Sequence, residues 1–148
     1  MLHIHGTETF TMGLSSSNDN LAVAMRENSV ILEEDGYLEL YEGFDPSSPV
    51  SYILLSNLQH VYQENSLKLA SFIEDEFSKG EERPSRGVKQ AGFWVLAKTT
   101  MPSVLVEVGF LTNKKEEKYL NSDLGKAKVA ANLYRAFRNY KRDMEAGD

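Results

Sequence analysis

The order of apolar and polar residues divides the chain into short strands and longer amphipathic helices. Thr7 to Met12 reads Thr-Glu-Thr-Phe-Thr-Met and runs into Gly13 and the polar Ser15-Ser16-Ser17, which predicts a strand ending in a loop. A helix should follow. Asn18 or Asp19 can accept from the free N–H groups of its first turn, Leu21, Ala24, Met25 and Leu32 recur at helical spacing, and Gly36 supplies a stop. Tyr37 to Pro49 holds Gly43, Asp45-Pro46 and Ser47-Ser48-Pro49 and predicts irregular chain. One long helix comes next, with Leu54, Leu58, Val61, Tyr62, Leu69, Phe72, Ile73 and Phe77 on its apolar stripe. Gly80 and the charged loop through Pro84 end it.

The apolar runs then shorten. Gly87-Val88-Lys89-Gln90 alternates weakly, Phe93-Trp94-Val95-Leu96 is a brief apolar run, and Ser103 to Phe110 is nearly continuous, as expected of a strand covered on both faces. Asn113, with Glu116 and Glu117 behind it, starts a short helix. Ser122 or Asp123 starts the last one, whose stripe is Ala127, Ala130, Leu133, Tyr134, Phe137 and Met144. Strands alternating with covering helices predict an α/β class, a single domain with a mostly parallel or mixed sheet covered by helices. Only the end, Glu145 to Asp148, should fray.

Composition narrows the chemistry. The 148 residues carry 16 Lys and Arg against 22 Asp and Glu, a formal net charge of -6, and this balance argues against a phosphate-backbone binder. There is no cysteine, which excludes disulfides, thiolate metal sites and a thiol nucleophile. No run approaches the ~20 apolar residues of a membrane span, and Met1 to Gly6 lacks the pattern of a secretion signal.

Glu107 is the most informative residue, because it interrupts an apolar run of β-formers. A carboxylate there must be wet at a strand end, paired with a cation, protonated through a raised pKa, or held against a metal. An ion pair at a strand end is the plain reading. A catalytic one is open, since α/β sheets place their sites beyond the carboxyl ends of strands.

Other candidates are weaker. His3 and His5 would share one face of a strand, but a zinc site wants three or four rigid ligands and the remaining histidine, His60, lies in an apolar helix. Arg86 beside Gly87 could meet a carboxylate-bearing ligand, although a surface Arg near a turn is the simpler reading. Phe93, Trp94 and Phe110 could line a sugar groove or, more simply, fill a core. Lys126, Lys128, Arg135, Arg138, Lys141 and Arg142 form a basic stretch without an acid between its ends. It reads as a solvated face that an anionic polymer could use. Glu33, Glu34 and Asp35 sit at the unfavourable end of the first predicted helix for its macrodipole.

The run Met101-Pro102-Ser103-Val104-Leu105-Val106-Glu107-Val108-Gly109-Phe110-Leu111-Thr112-Asn113, with Glu116-Glu117 and Tyr119-Leu120 after it, resembles the closing signature of zinc-dependent N-acetylmuramoyl-L-alanine amidases. Gly6-Thr7-Glu8-Thr9-Phe10 resembles the strand after that family's second histidine motif. Ser85 to Lys89 with Phe93 to Leu96 resembles its hairpin-like segment, and the helix with Asn65, Ser66 and Leu69 falls where the family has one. The resemblance implies hydrolysis of the amide between N-acetylmuramic acid and L-alanine in peptidoglycan. It also implies one zinc ion held by His, Glu and His, and a second glutamate that assists proton transfer, at the position of Glu107.

The family's zinc ligands lie upstream of the Gly6 to Phe10 strand. No ligand role therefore passes to His3 or His5, and the sequence is expected to be the C-terminal portion of a catalytic domain, truncated at its N-terminus and inactive alone. Some members carry an inserted helix that plugs the site through an acidic residue until an activator protein removes it. Residues 18–49 occupy the corresponding place, with Glu33 or Glu34 as the candidate zinc-capping carboxylate and an ordinary surface helix as the alternative. The implied localisation is periplasmic or cell envelope. A non-catalytic peptidoglycan-binding or complex-forming remnant of the same fold is the competing reading.

Overall fold

The computed structural model describes residues 4–15, 17–58, 60–79 and 83–147. Strand β1 (Thr7–Thr11) is the centre of a three-stranded sheet, with β2 (Ser85–Gln90) parallel on one side and β3 (Leu105–Glu107) antiparallel on the other. The sheet is mixed, as expected. Helices α1 (Asn18–Asn28), α2 (Tyr37–Leu40), α3 (Pro49–Ser56), α4 (Gln63–Ser78), α5 (Trp94–Ala97), α6 (Lys114–Asn121) and α7 (Asp123–Ala146) surround it.

The period of two along β1 sorts these helices onto two faces. Phe10 points into one apolar cluster with Ala24 of α1, Tyr52 and Leu55 of α3, Phe93, and Leu96 of α5; Leu105 of β3 packs against it. Val104, Val106 and Val108 point the other way, against Ile73 and Phe77 of α4 and Ala136 of α7. The run from Ser103 to Phe110 is thus covered on both faces. Only Leu105–Glu107 joins the ladder, because β1 is its single neighbour.

Two buried carboxylates fasten α4. Glu74 accepts hydrogen bonds from the hydroxyls of Thr7 (3.1 Å), Thr9 (2.6 Å) and Ser85 (2.6 Å), joining the helix to β1 and β2. Glu76 meets Lys79 at 2.6 Å and Arg135 at 2.9 Å, joining α4 to α7. A third, Glu116 of α6, accepts from the backbone N–H groups of Gly6 (2.9 Å) and Phe110 (2.8 Å) and pairs with Arg83 at 2.8 Å. It ties the entry of β1 to the exit of β3.

Several expectations need correction. The first helix stops at Asn28 and continues as a 3-10 turn, Ser29–Glu33, so Leu32 is exposed while Ile31 is buried. Gly36, with φ +74°, caps the short α2 rather than ending a long helix. The segment expected to be irregular therefore contains one helical turn. The predicted long helix is two helices: Asn57 ends α3, its side chain donating to the Ile53 carbonyl at 3.2 Å and its backbone N–H to Leu54 and Leu55. Leu54, Leu58 and Val61, expected on the buried stripe, are exposed. Phe93 to Leu96 forms no hairpin, since Trp94–Ala97 is a helical turn.

Asn113 caps α6 through Lys115 and Ser122 caps α7 through Gly125, as read from sequence. A Cβ at Gly125 would lie 1.9 Å from the Tyr119 carbonyl, so only glycine lets α7 start this close to α6. The stripe assigned to α7 is divided. Leu133 packs inward beside Ala136, but Ala127, Ala130, Tyr134 and Phe137 face solvent.

Candidate active site

The site is built on the β1 face that bears Glu8 and Phe10. Glu8 and Glu107 are directly opposed in the β1–β3 register, so their side chains leave the sheet on the same side. Two carboxylates in that relation repel, and a second strand offsets the repulsion. The β1–β2 pairing shifts register between Thr7 and Thr9, where Gly87 takes φ +82°. That left-handed residue makes room for an irregularity that turns Arg86 towards Glu8, at 2.8 Å. Lys89 reaches the same Glu8 oxygen at 2.5 Å. Glu8 is thereby neutralised from the β2 side.

Glu107 has no such partner: among the described residues, no hydrogen bond or ion pair engages its carboxylate. It is half-buried under α1. Burial, then the negative charges of Glu27 and Glu8, push its carboxyl above the usual carboxylate range, and Arg26 partly opposes them. Arg26 is itself held to Glu27, at 3.1 Å. A carboxyl raised in this way, with no cation engaged to it, holds a proton more readily than an ordinary carboxylate, as a general acid–base group must.

The remaining sequence candidates fall elsewhere. Glu33 and Glu34 are exposed, and Glu34 accepts a hydrogen bond from the Tyr41 hydroxyl at 2.7 Å. Neither is among the charges acting on Glu107. Arg86 serves an internal carboxylate and lies over the Phe110 ring at 5.5 Å. Phe93 is buried against Phe10 at 5.1 Å, and Trp94 packs on Phe44 at 5.0 Å and Tyr41 at 5.4 Å, so both are core. His3 lies outside the described residues and His5 is exposed. Among the described residues no three His, Cys, Asp or Glu side chains converge on a point that could hold a metal ion, so these residues by themselves do not fit the expected zinc.

Sequence reasoning did not single out Glu8, Arg26, Glu27 or Lys89. Alternation along Thr-Glu-Thr-Phe-Thr does place Glu8 on the Phe10 face, which was the available signal. Arg26 and Glu27 carry none, because their approach to Glu107 depends on where α1 docks.

A mixed three-stranded sheet with helices on both faces is the fold found in solved amidase catalytic domains. The chain belongs to the N-acetylmuramoyl-L-alanine amidase family, whose model matches residues 2–139. It is 35% identical over 80 residues to the germination-specific N-acetylmuramoyl-L-alanine amidase of Bacillus subtilis, covering 53% of this chain and 33% of that protein. To the amidase AmiA of Escherichia coli it is 35% identical over 86 residues, 58% of this chain and 30% of that one. Amidase AmiC2 of Nostoc punctiforme shares the fold with a TM-score of 0.58 at 17% identity, over 96% of this chain and 51% of that chain. The CwlD amidase of Clostridioides difficile, solved in complex with the GerS lipoprotein, gives 0.54 at 18%, over 96% and 49%. The matched region thus spans about a third of the curated relatives and half of the solved chains.

Proposed function

We propose that the chain contributes the proton-transfer half of a peptidoglycan amidase site, cleaving the amide between N-acetylmuramic acid and L-alanine in the cell envelope. Family membership supports the substrate, and the unpaired Glu107 carboxyl, held above its usual range on the Glu8 face, carries the reading. In the hydrolysis Glu107 takes a proton from the attacking water and gives it to the amide nitrogen as the C–N bond breaks. Arg86 and Lys89 hold Glu8 away from this traffic.

Zinc is the cofactor expected of the complete domain, where it would polarise the carbonyl. Among the described residues no three donors converge to hold it. The segment 18–49 is read as regulatory, because α1 carries Arg26 and Glu27, whose charges act on the Glu107 carboxyl. Its removal would be the task of an activator. Deleting residues 20–46 should raise basal turnover in an active form, with E33Q and E34Q testing the capping role of those carboxylates. Unchanged turnover removes the regulatory reading.

The test is mass analysis of muropeptides released from purified peptidoglycan, with zinc content measured in parallel. The chain alone should release none. Joined behind the upstream part of a relative such as AmiA, it should release stem peptides with a free L-alanine amino terminus. Release by the chain alone with stoichiometric zinc would overturn the claim of missing donors. Binding to peptidoglycan without release in either form would favour the non-catalytic remnant.

A further inference from the structure

Helix α7 has two apolar faces and only one of them is used. Its inner face packs Val129, Leu133 and Ala136 against Ile73 and Phe77 of α4, with Tyr140 edge-on to Phe72 at 6.4 Å. Its outer face presents Ala127, Ala130, Tyr134 and Phe137 at the three- and four-residue spacing of a continuous ridge, with Leu124 at its start. Leu124 and Tyr134 are each 65% exposed and Phe137 57%. Helix formation does not require this ridge, and no described element covers it.

The charge beside the ridge is segregated from the rest of the chain. Six of the 16 Lys and Arg fall between Lys126 and Arg142, a stretch holding none of the 22 Asp and Glu. Arg135 is consumed by Glu76, and Lys141 reaches Glu145 at 3.5 Å. Lys126, Lys128 and Arg142 have no acidic partner among the described residues. Arg138 lies over the Tyr134 ring, 5.8 Å from its centroid, which sets a guanidinium at the border of the ridge. A protein of net charge -6 thus turns one positive, aromatic-bearing face outwards.

From this juxtaposition we infer that the outer face of α7 is a docking surface for an anionic lipid bilayer, on which the helix lies in the plane of the headgroups. The ridge of Leu124, Tyr134 and Phe137 enters the headgroup boundary, while Lys126, Lys128, Arg138 and Arg142 meet lipid phosphates on either side. Charge complementarity selects this occupant. A second copy docked across a two-fold axis at Tyr134 would set Lys126 against Arg142, like against like. A soluble polyanion would satisfy the cations but leave the aromatic ridge with nothing to bury it.

The experiment is flotation of the full chain with vesicles of phosphatidylglycerol and phosphatidylethanolamine, with pure phosphatidylcholine vesicles as the comparison. It needs no peptidoglycan, so its outcome is independent of the amidase reading. The chain should float with the anionic vesicles at low salt and be released at high salt. K128E together with R142E should weaken partitioning at least about tenfold, and Y134A with F137A should weaken it without changing its salt dependence. All four positions are solvent-facing or at the ridge, and circular dichroism of each variant checks its fold. Failure to float with anionic vesicles overturns the inference. So does competition by soluble poly(glycerol phosphate) with F137A without effect, which assigns the face to a polymer. A concentration-dependent dimer abolished by F137A assigns it to a second copy and equally overturns the inference.

Discussion

Replacing Glu116 with alanine tests how the segment bearing Glu107 is held in place. The Glu116 side chain is 4% exposed and satisfies three donors: the Gly6 and Phe110 backbone N–H groups and the Arg83 guanidinium. Arg83, itself 15% exposed, also donates to the Val108 carbonyl. Alanine would strand a nearly buried guanidinium and two backbone N–H groups, and breaking a buried pair from one side costs about 3–5 kcal/mol. For a domain of this size each kcal/mol moves the melting temperature by about 2–4 °C, so a fall on the order of 10 °C is expected. Differential scanning calorimetry measures it. Adding R83M should restore part of the loss, because it removes the stranded charge while E116A alone leaves it. A melting temperature within 2 °C or so of the parent would refute the claim that this carboxylate clamps the two strands.

Other consequences are equally open to measurement. Glu107 has a folded pKa above its unfolded one, so its contribution to stability is complete at acid pH and lost as pH rises through the folded value. E107Q should therefore melt higher than the parent at alkaline pH and converge with it in acid, as thermal melts across pH would record. Glu76 behaves oppositely. Lys79, then Arg135, hold it below the usual range against the opposing push of burial, so its stabilisation is full above that range and fades as pH falls through the lowered value. The destabilisation caused by E76Q should shrink along the same acid limb. Asn28 accepts from the Trp94 N–H at 3.0 Å and donates to the Gly92 carbonyl at 2.8 Å. N28A should cost about 1–3 kcal/mol in urea unfolding and loosen α1 from α5.

Features with a local chemical cause were legible in the sequence. Asn113 and Ser122 announce the starts of α6 and α7 because capping needs only the neighbouring backbone. The Ser103 to Phe110 run announces a two-faced strand because successive apolar residues, Val104, Leu105 and Val106, point to alternate sides and need cover on both. The break at Asn57 was hidden, since Leu54, Leu58 and Val61 keep helical spacing whether or not a partner covers them. The same ambiguity concealed the outer ridge of α7: periodicity says which residues share a face, not which face is covered. At the site, Glu107 stood out as a carboxylate among apolar residues. Its opposition to Glu8 and the approach of Glu27 depend on sheet register and helix docking between distant segments, which local pattern does not encode.

The most direct test of the central claim is the ratio of kcat/KM for E107Q and its parent in the reconstituted amidase. A general acid–base group contributes about 10²–10⁴-fold. A loss of that size, with the variant at least as heat-stable as its parent, is the expected result. A ratio within about twofold of unity would contradict the account and leave Glu107 as a strand-end carboxylate without a catalytic role.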